Sequence, residues 1–271
     1  MRCMGKASDK SIGIFDSGIG GLTVYQAIRE ALPHESLIYL GDTARVPYGT
    51  KSSETIIRYS LENASFLIKR GIKALVVACN TSSAYALPAI IAKNGIPVIG
   101  VIEPGVSAAL SVTLNNNIGV IGTNSTIASN MYAIGIKKSR KDARVVSLAC
   151  PLFVPLVEEG WVDNDVARLT AEKYLGTLRK EEIDTLILGC THYPLLKNII
   201  QDVVGKNVKL VDSAAATAKA LKDLLTEKKI LSESSSNENH IYVTDLPTRF
   251  EITARRFVSG DLPVVKRVEG L

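Results

Sequence analysis

A chain of 271 residues, 46% apolar and 22% charged, can bury a core as one large domain or two small ones. Its net charge of +5 is scattered among acidic residues, so it lacks the clustered basic footprint of a nucleic-acid or membrane-surface protein. No apolar run reaches the ~18–20 residues of a membrane span, no signal-peptide core follows the N-terminus, and four cysteines are too few for a disulfide scaffold, which points to free thiols in a reducing cytoplasm.

Short apolar runs alternate with amphipathic stretches, which predicts strands at residues 11–15, 37–40, 74–78, 97–101, 118–121, 144–148, 185–188 and 208–211 with helices between them. The first strand leads into Asp16-Ser17-Gly18-Ile19-Gly20-Gly21-Leu22. Its glycines permit a tight turn or an anion cradle of backbone N–H groups, but the dinucleotide spacing fails because Thr23 stands at the third position. Asp16 either caps a helix or orients a catalytic partner. After the second strand, Asp42-Thr43-Ala44-Arg45-Val46-Pro47-Tyr48-Gly49 forms a loop in which Tyr48 is placed to cover a ligand and Arg45 to meet a carboxylate or solvent. Beyond it Ile57, Leu61, Ala64 and Ile68 share one helical face, with Ser52 or Ser53 as cap.

The third strand ends at Cys79-Asn80-Thr81. Thr123-Asn124-Ser125-Thr126 follows the fifth, and helix capping is the plain reading of its hydroxyls. The seventh ends at Cys190-Thr191-His192-Tyr193-Pro194. Asp212-Ser213 opens a helix over 214–225, and 232–239 is a polar loop. The segments around Cys79 and Cys190 echo each other: buried strand, Cys at its C-terminal end, small polar residues, helix. The expected fold is therefore α/β, two similar lobes, each a mainly parallel sheet flanked by helices, with the active site in the cleft between them.

A strand-end cysteine taken singly is most often a buried structural thiol, and Cys3 and Cys150 are read that way. Two in matched settings, where helix starts would lower a thiol's pKa toward working pH, point instead to paired acid/base groups. A Cys79–Cys190 disulfide would sequester the polar residues beside each thiol. Of the three histidines, His34 and His240 lie in polar connections and read as solvated, whereas His192 is close enough to tune Cys190 or to act on a substrate ammonium. No His, Cys and acidic residues have metal-ligand spacing, so no metal site is expected.

Phe15-Asp16-Ser17-Gly18-Ile19-Gly20-Gly21-Leu22, Val46-Pro47-Tyr48-Gly49, Ala78-Cys79-Asn80-Thr81, Val154-Pro155-Leu156-Val157-Glu158 and Leu188-Gly189-Cys190-Thr191-His192-Tyr193-Pro194 together resemble the glutamate racemases of the aspartate/glutamate racemase superfamily. The resemblance runs from about Ile12 to the C-terminus. It implies a cofactor-independent isomerase that uses neither pyridoxal phosphate nor metal and supplies D-glutamate for peptidoglycan. Cys79 would deprotonate D-glutamate and Cys190 L-glutamate, with Asp16 assisting the first and His192 and Glu158 the second; Glu159 stands beside Glu158 as the other candidate. Substrate would be held by Asp16, Ser17, Pro47, Tyr48, Gly49, Asn80, Thr81, Thr123, Thr191 and His192. The resemblance also implies that residues 1–103 and 213–271 form the first lobe and 104–212 the second, and it leaves a homodimer open. Two rivals remain: racemisation of aspartate or another reaction of a small dicarboxylic acid, and a binding module without turnover, against which the duplicated thiol argues.

Overall fold

The computed structural model describes residues 7–232 and 238–269. Cys3, the first six residues and positions 233–237 of the expected polar loop lie outside them. In chain order the strands are β1 (Ile12–Asp16), β2 (Leu37–Gly41), β3 (Ala74–Val77), β4 (Val98–Gly100), β5 (Asn117–Gly122), β6 (Arg144–Ala149), β7 (Thr185–Gly189), β8 (Lys209–Asp212), β9 (His240–Val243) and β10 (Val265–Arg267). The first eight coincide with the expected strands to within one residue at either end.

They form two sheets, ordered β10-β9-β2-β1-β3-β4 and β6-β5-β7-β8, with every pairing parallel. Strands β1, β2, β3 and β7 are buried at every position, as expected of central parallel strands covered by helices on both faces. The order β2-β1-β3-β4 recurs as β6-β5-β7-β8, so the echo around the two cysteines extends to a whole four-stranded unit. Cys79 follows β3 and Cys190 follows β7, the equivalent strands of the two units.

Strands β9 and β10 are additions at the β2 edge and were not expected. Accordingly His240 is not a solvated connector residue: it opens β9, half-buried and in register with Ile38. His34 is exposed, as expected. The helix α2 (Ser53–Ile68) is capped by Ser52, whose hydroxyl accepts the Thr55 N–H at 3.4 Å. Its buried face is Ile56, Ser60, Asn63, Ala64 and Leu67, rotated from the expected one, which leaves Ile57, Leu61 and Ile68 half-buried at the edge. The cause is polar: Ser60 bonds Ser82 at 3.0 Å and Asn63 bonds Tyr48 at 3.1 Å, so both face inward toward the cleft. The helix α11 (Ser213–Glu227) begins as expected, with Asp212 accepting the Ala214 N–H at 3.0 Å.

Remote from the cleft, Lys73 and Glu35 form a buried ion pair at 2.6 Å. Lys73 Nζ also donates to the carbonyls of Ser8 (2.7 Å) and Ile230 (2.8 Å), while Glu35 accepts the Ser232 N–H at 2.8 Å. One buried cation thus ties the start of β3 to the N-terminal segment and to the exit of α11. Among the described residues no helix is long and apolar enough to cross a membrane.

Candidate active site

A cavity of about 280 Å³ lies where the C-terminal ends of the two sheets meet. Ser17, Pro47, Tyr48, Gly49, Cys79, Asn80, Thr81, Thr123, Glu158, Cys190, Thr191 and His192 all line it, joined by Gly18, Val46, Val154 and Pro155. Of the residues expected at the site, Asp16 does not reach the lining. It sits fully buried behind the wall, where Oδ2 accepts the Gly18 N–H at 2.9 Å and Oδ1 accepts the Thr191 hydroxyl at 3.4 Å. Burial raises its pKa, against the nearby His192 charge and the hydrogen bonds from Gly18, Gly21 and Thr191.

The two thiols are free and occupy unlike surroundings. Cys79 caps the short helix α3 (Asn80–Tyr85); its Sγ accepts the Ser82 N–H at 3.5 Å and its thiol donates to Ser17 Oγ at 3.5 Å. The helix start was expected to lower the pKa of this group. Burial, followed by the Asp16 carboxylate, instead pushes Cys79 up to about 11, and the Ser17 and Ser82 hydrogen bonds offset only part of that. A six-residue helix offers too little partial charge to outweigh desolvation.

On the other side Cys190 Sγ lies 3.9 Å from His192 Nδ1, and His192 Nε2 lies 3.0 Å from Glu158 Oε1. Burial opposes charge on His192, yet hydrogen bonds to Cys190 and Glu158, with their charges, raise it to about 10. At neutral pH the ring is therefore an imidazolium donating from both nitrogens. Burial would raise Glu158, but the His192 bond and charge, helped by Arg249, hold it below the usual carboxylate range. Of the two neighbouring glutamates, Glu158 lines the cavity, whereas Glu159 pairs with Arg249 at 3.6 Å. Cys150, read as structural, is fully buried.

The cleft is closed by contacts between the lobes. Thr81, Thr123 and Thr126 form a triangle of hydroxyls at 3.0 Å, and Ser125 donates to the Gly49 carbonyl at 2.9 Å. Thr123 also caps the helix α6 (Asn124–Ala128), the plain reading of its sequence position. Gly20 is required at its place, since a Cβ there would fall 2.3 Å from Thr191 Oγ1 and 2.5 Å from His192 Nδ1. Behind the 42–49 loop, buried Asp42 accepts from Tyr48, from Arg45 Nε (2.7 and 2.9 Å), from Asn63 (3.4 Å) and from Thr244 (3.1 Å). The Tyr48 hydroxyl is therefore committed to the scaffold, and Arg45 braces the loop together with Glu62 rather than facing the cavity.

Sequence reasoning missed Asp42, Asn63, Thr126 and Tyr132. The available signal was a polar pair, Ser60 and Asn63, within an otherwise apolar helical pattern. Among the described residues no group of three or more His, Cys, Asp and Glu is placed to hold a metal ion.

Residues 12–221 match the model of the Asp/Glu/Hydantoin racemase family. A glutamate racemase from Geobacter metallireducens is 56% identical over 96% of each chain. Among solved structures, glutamate racemase isoform RacE1 from Bacillus anthracis superposes with a TM-score of 0.93 at 42% identity, covering 97% of this chain and 98% of that one. The glutamate racemase from Francisella tularensis, solved in complex with D-glutamate, gives 0.92 at 41% identity with the same coverage.

Proposed function

The chain belongs to the Asp/Glu/Hydantoin racemase family, and we propose that it interconverts L- and D-glutamate by proton transfer between Cys79 and Cys190, supplying D-glutamate for peptidoglycan in the cytoplasm. The relatives described above, all glutamate racemases, support the isomerase class and the substrate. The observation that carries the mechanism is the placement of two free thiols at equivalent strand ends on opposite walls of one cavity.

Racemisation removes the α-proton from one face and returns a proton to the other, which calls for two groups in opposite protonation states. Toward L-glutamate, Cys190 is the base, its thiolate held by the His192 imidazolium, and Cys79 is the acid, kept protonated by burial and Asp16. Toward D-glutamate the roles exchange. Neither pyridoxal phosphate nor a metal enters this scheme. Hydroxyl and amide groups of Ser17, Asn80, Thr81 and Thr191 hold the substrate ends and stabilise charge developing at the α-carboxylate, while the inter-lobe contacts exclude water. In this reading residues 1–103 and 213–271 form the lobe carrying Cys79, and 104–212 the lobe carrying Cys190; the membership of the two sheets supports that division.

Incubation of either enantiomer with the metal-free protein in deuterated water tests the proposal: the inverted product should carry deuterium at the α-carbon. Cys79→Ala and Cys190→Ala should each abolish inversion. Absence of exchange would reject the reaction, and inversion by either variant would reject the two-thiol scheme. Aspartate run in parallel distinguishes the substrate, since an equal or greater kcat/KM would reassign it.

A further inference from the structure

Tyr132 belongs to none of the motifs and does not line the cavity, yet its hydroxyl reaches the cavity wall. It is the second residue of α7 (Met131–Ser139) and is buried in the lobe carrying Cys190. Its ring packs closely on Gly189, where a Cβ would lie 3.0 Å from Tyr132 Cε2, and beside Gly105, where one would be in ordinary contact with Cε1 at 3.4 Å. From there the hydroxyl crosses to the other lobe and donates to Asn80 Oδ1 at 2.6 Å. Asn80 lines the cavity, and its Nδ2 is buried without a protein partner.

We propose that Tyr132 is a positioning residue that fixes the orientation of the Asn80 amide, so that Nδ2 is the end offered to a substrate carboxylate. A side-chain amide is nearly symmetric in shape, and only its hydrogen-bond partners decide which end faces a ligand. The phenolic proton goes to Oδ1, and the two N–H groups of Nδ2 are left for the cavity. A buried donor with no protein partner carries a desolvation cost that an anionic ligand relieves. If the amide turned over, a carbonyl oxygen would meet the carboxylate and repel it. The contact also spans the cleft, so the orientation is set only when the lobes are together.

The inference rests on the racemase reading for its ligand, so binding and turnover are measured separately. Tyr132→Phe keeps the ring in its place and removes the proton donor. The Kd for D-glutamate by titration calorimetry and the KM for both enantiomers should rise about tenfold, the equivalent of one oriented hydrogen bond to a charged group. kcat should change by less than about threefold, because the thiols are untouched. In an Asn80→Ala background the same substitution should have no further effect on Kd. Unchanged affinity in Tyr132→Phe, or an effect that persists without Asn80, would overturn the proposal. Should Tyr132→Phe not fold, Tyr132→Met carries the test: a flexible side chain fills the place of the ring and also removes the donor to Asn80, so Kd should again rise about tenfold, and an unchanged Kd would overturn the proposal. Glutamate that binds the unaltered protein without α-proton exchange would reject racemisation yet leave the Tyr132–Asn80 link measurable through Kd.

Discussion

Replacing His192 by Asn isolates the contribution of a single charge. The amide nitrogen of Asn can stand near the position of Nδ1 and still donate to Cys190, but the side chain is neutral and too short to reach Glu158. The rise of His192 from its usual 6.5 to about 10 is what remains after the burial that opposes it, so the imidazolium's attraction to its two neighbours exceeds its desolvation cost by about 5 kcal/mol. Divided between Cys190 and Glu158, that leaves roughly 2–3 kcal/mol for the thiol, or about 10²-fold in rate, within the range of general acid–base assistance. At pH 8, kcat/KM should therefore fall about 10²-fold, and by the same factor for both enantiomers because the equilibrium constant of a racemisation is one. The sign of the pH effect follows from the upward shift: the imidazolium is present below about pH 10 and is lost as pH rises through that value. The high-pH limb of kcat for L-glutamate should accordingly fall near 10 in the unaltered protein. In the variant it should move to about 11, where Cys79 loses the proton it must deliver. Following kcat by circular dichroism at saturating substrate reports ionisations within the enzyme–substrate complex, free of the titration of unbound glutamate. A loss below about threefold, or a limb that does not move, would refute this account of the charge.

Two further substitutions probe the scaffold. Lys73→Met strands the buried Glu35 carboxylate and two carbonyls, and should cost about 3–5 kcal/mol, seen as a melting temperature lower by several degrees. Lys73→Met with Glu35→Leu should recover most of that loss, and a single variant that melts with the unaltered protein would remove the ion pair from the stability argument. Gly20→Ala places a methyl group where Thr191 and His192 now stand, so the lobes must shift by a substantial fraction of an ångström. Its kcat should drop by at least tenfold with little change in melting temperature, given the sensitivity of proton transfer to sub-ångström displacement; full activity would show that the lobes tolerate the displacement.

The strands were legible because buried parallel strands write themselves as continuous apolar runs, as in residues 74–78 and 185–188. Strand β9 was not, because it carries His240 and Tyr242 on its half-buried face and follows a polar stretch. The lining of the cavity was legible through the motifs, since its residues stand at strand exits where short-range sequence determines position. What lay behind the lining was not. Asp42, Asn63 and Thr244 meet only through folding, and their sequence separations carry no local signature. The direction of the Cys79 shift was misread for a related reason: a cysteine at a helix start is visible in sequence, whereas the depth of its burial and the approach of Asp16 are not.

The duplicated strand order explains how one chain brings two thiols to a single cavity, because the strand after which each cysteine falls is the same in both units. Duplication by itself would make the two sites alike, and in the proposed reaction alike sites would be idle: two thiols provide no base and two thiolates no acid. The asymmetry enters through neighbours that the repeat does not share, Asp16 and Ser17 against Cys79, His192 and Glu158 against Cys190. Asp16 links the halves, since its charge raises Cys79 while its oxygen accepts the hydroxyl of Thr191, the residue after Cys190. The His192 charge acts in turn on Asp16. Protons in such a set belong to the group rather than to one residue, so in the proposed reaction the transfer of one proton through the substrate would re-poise both walls together and leave the protein set for the opposite enantiomer.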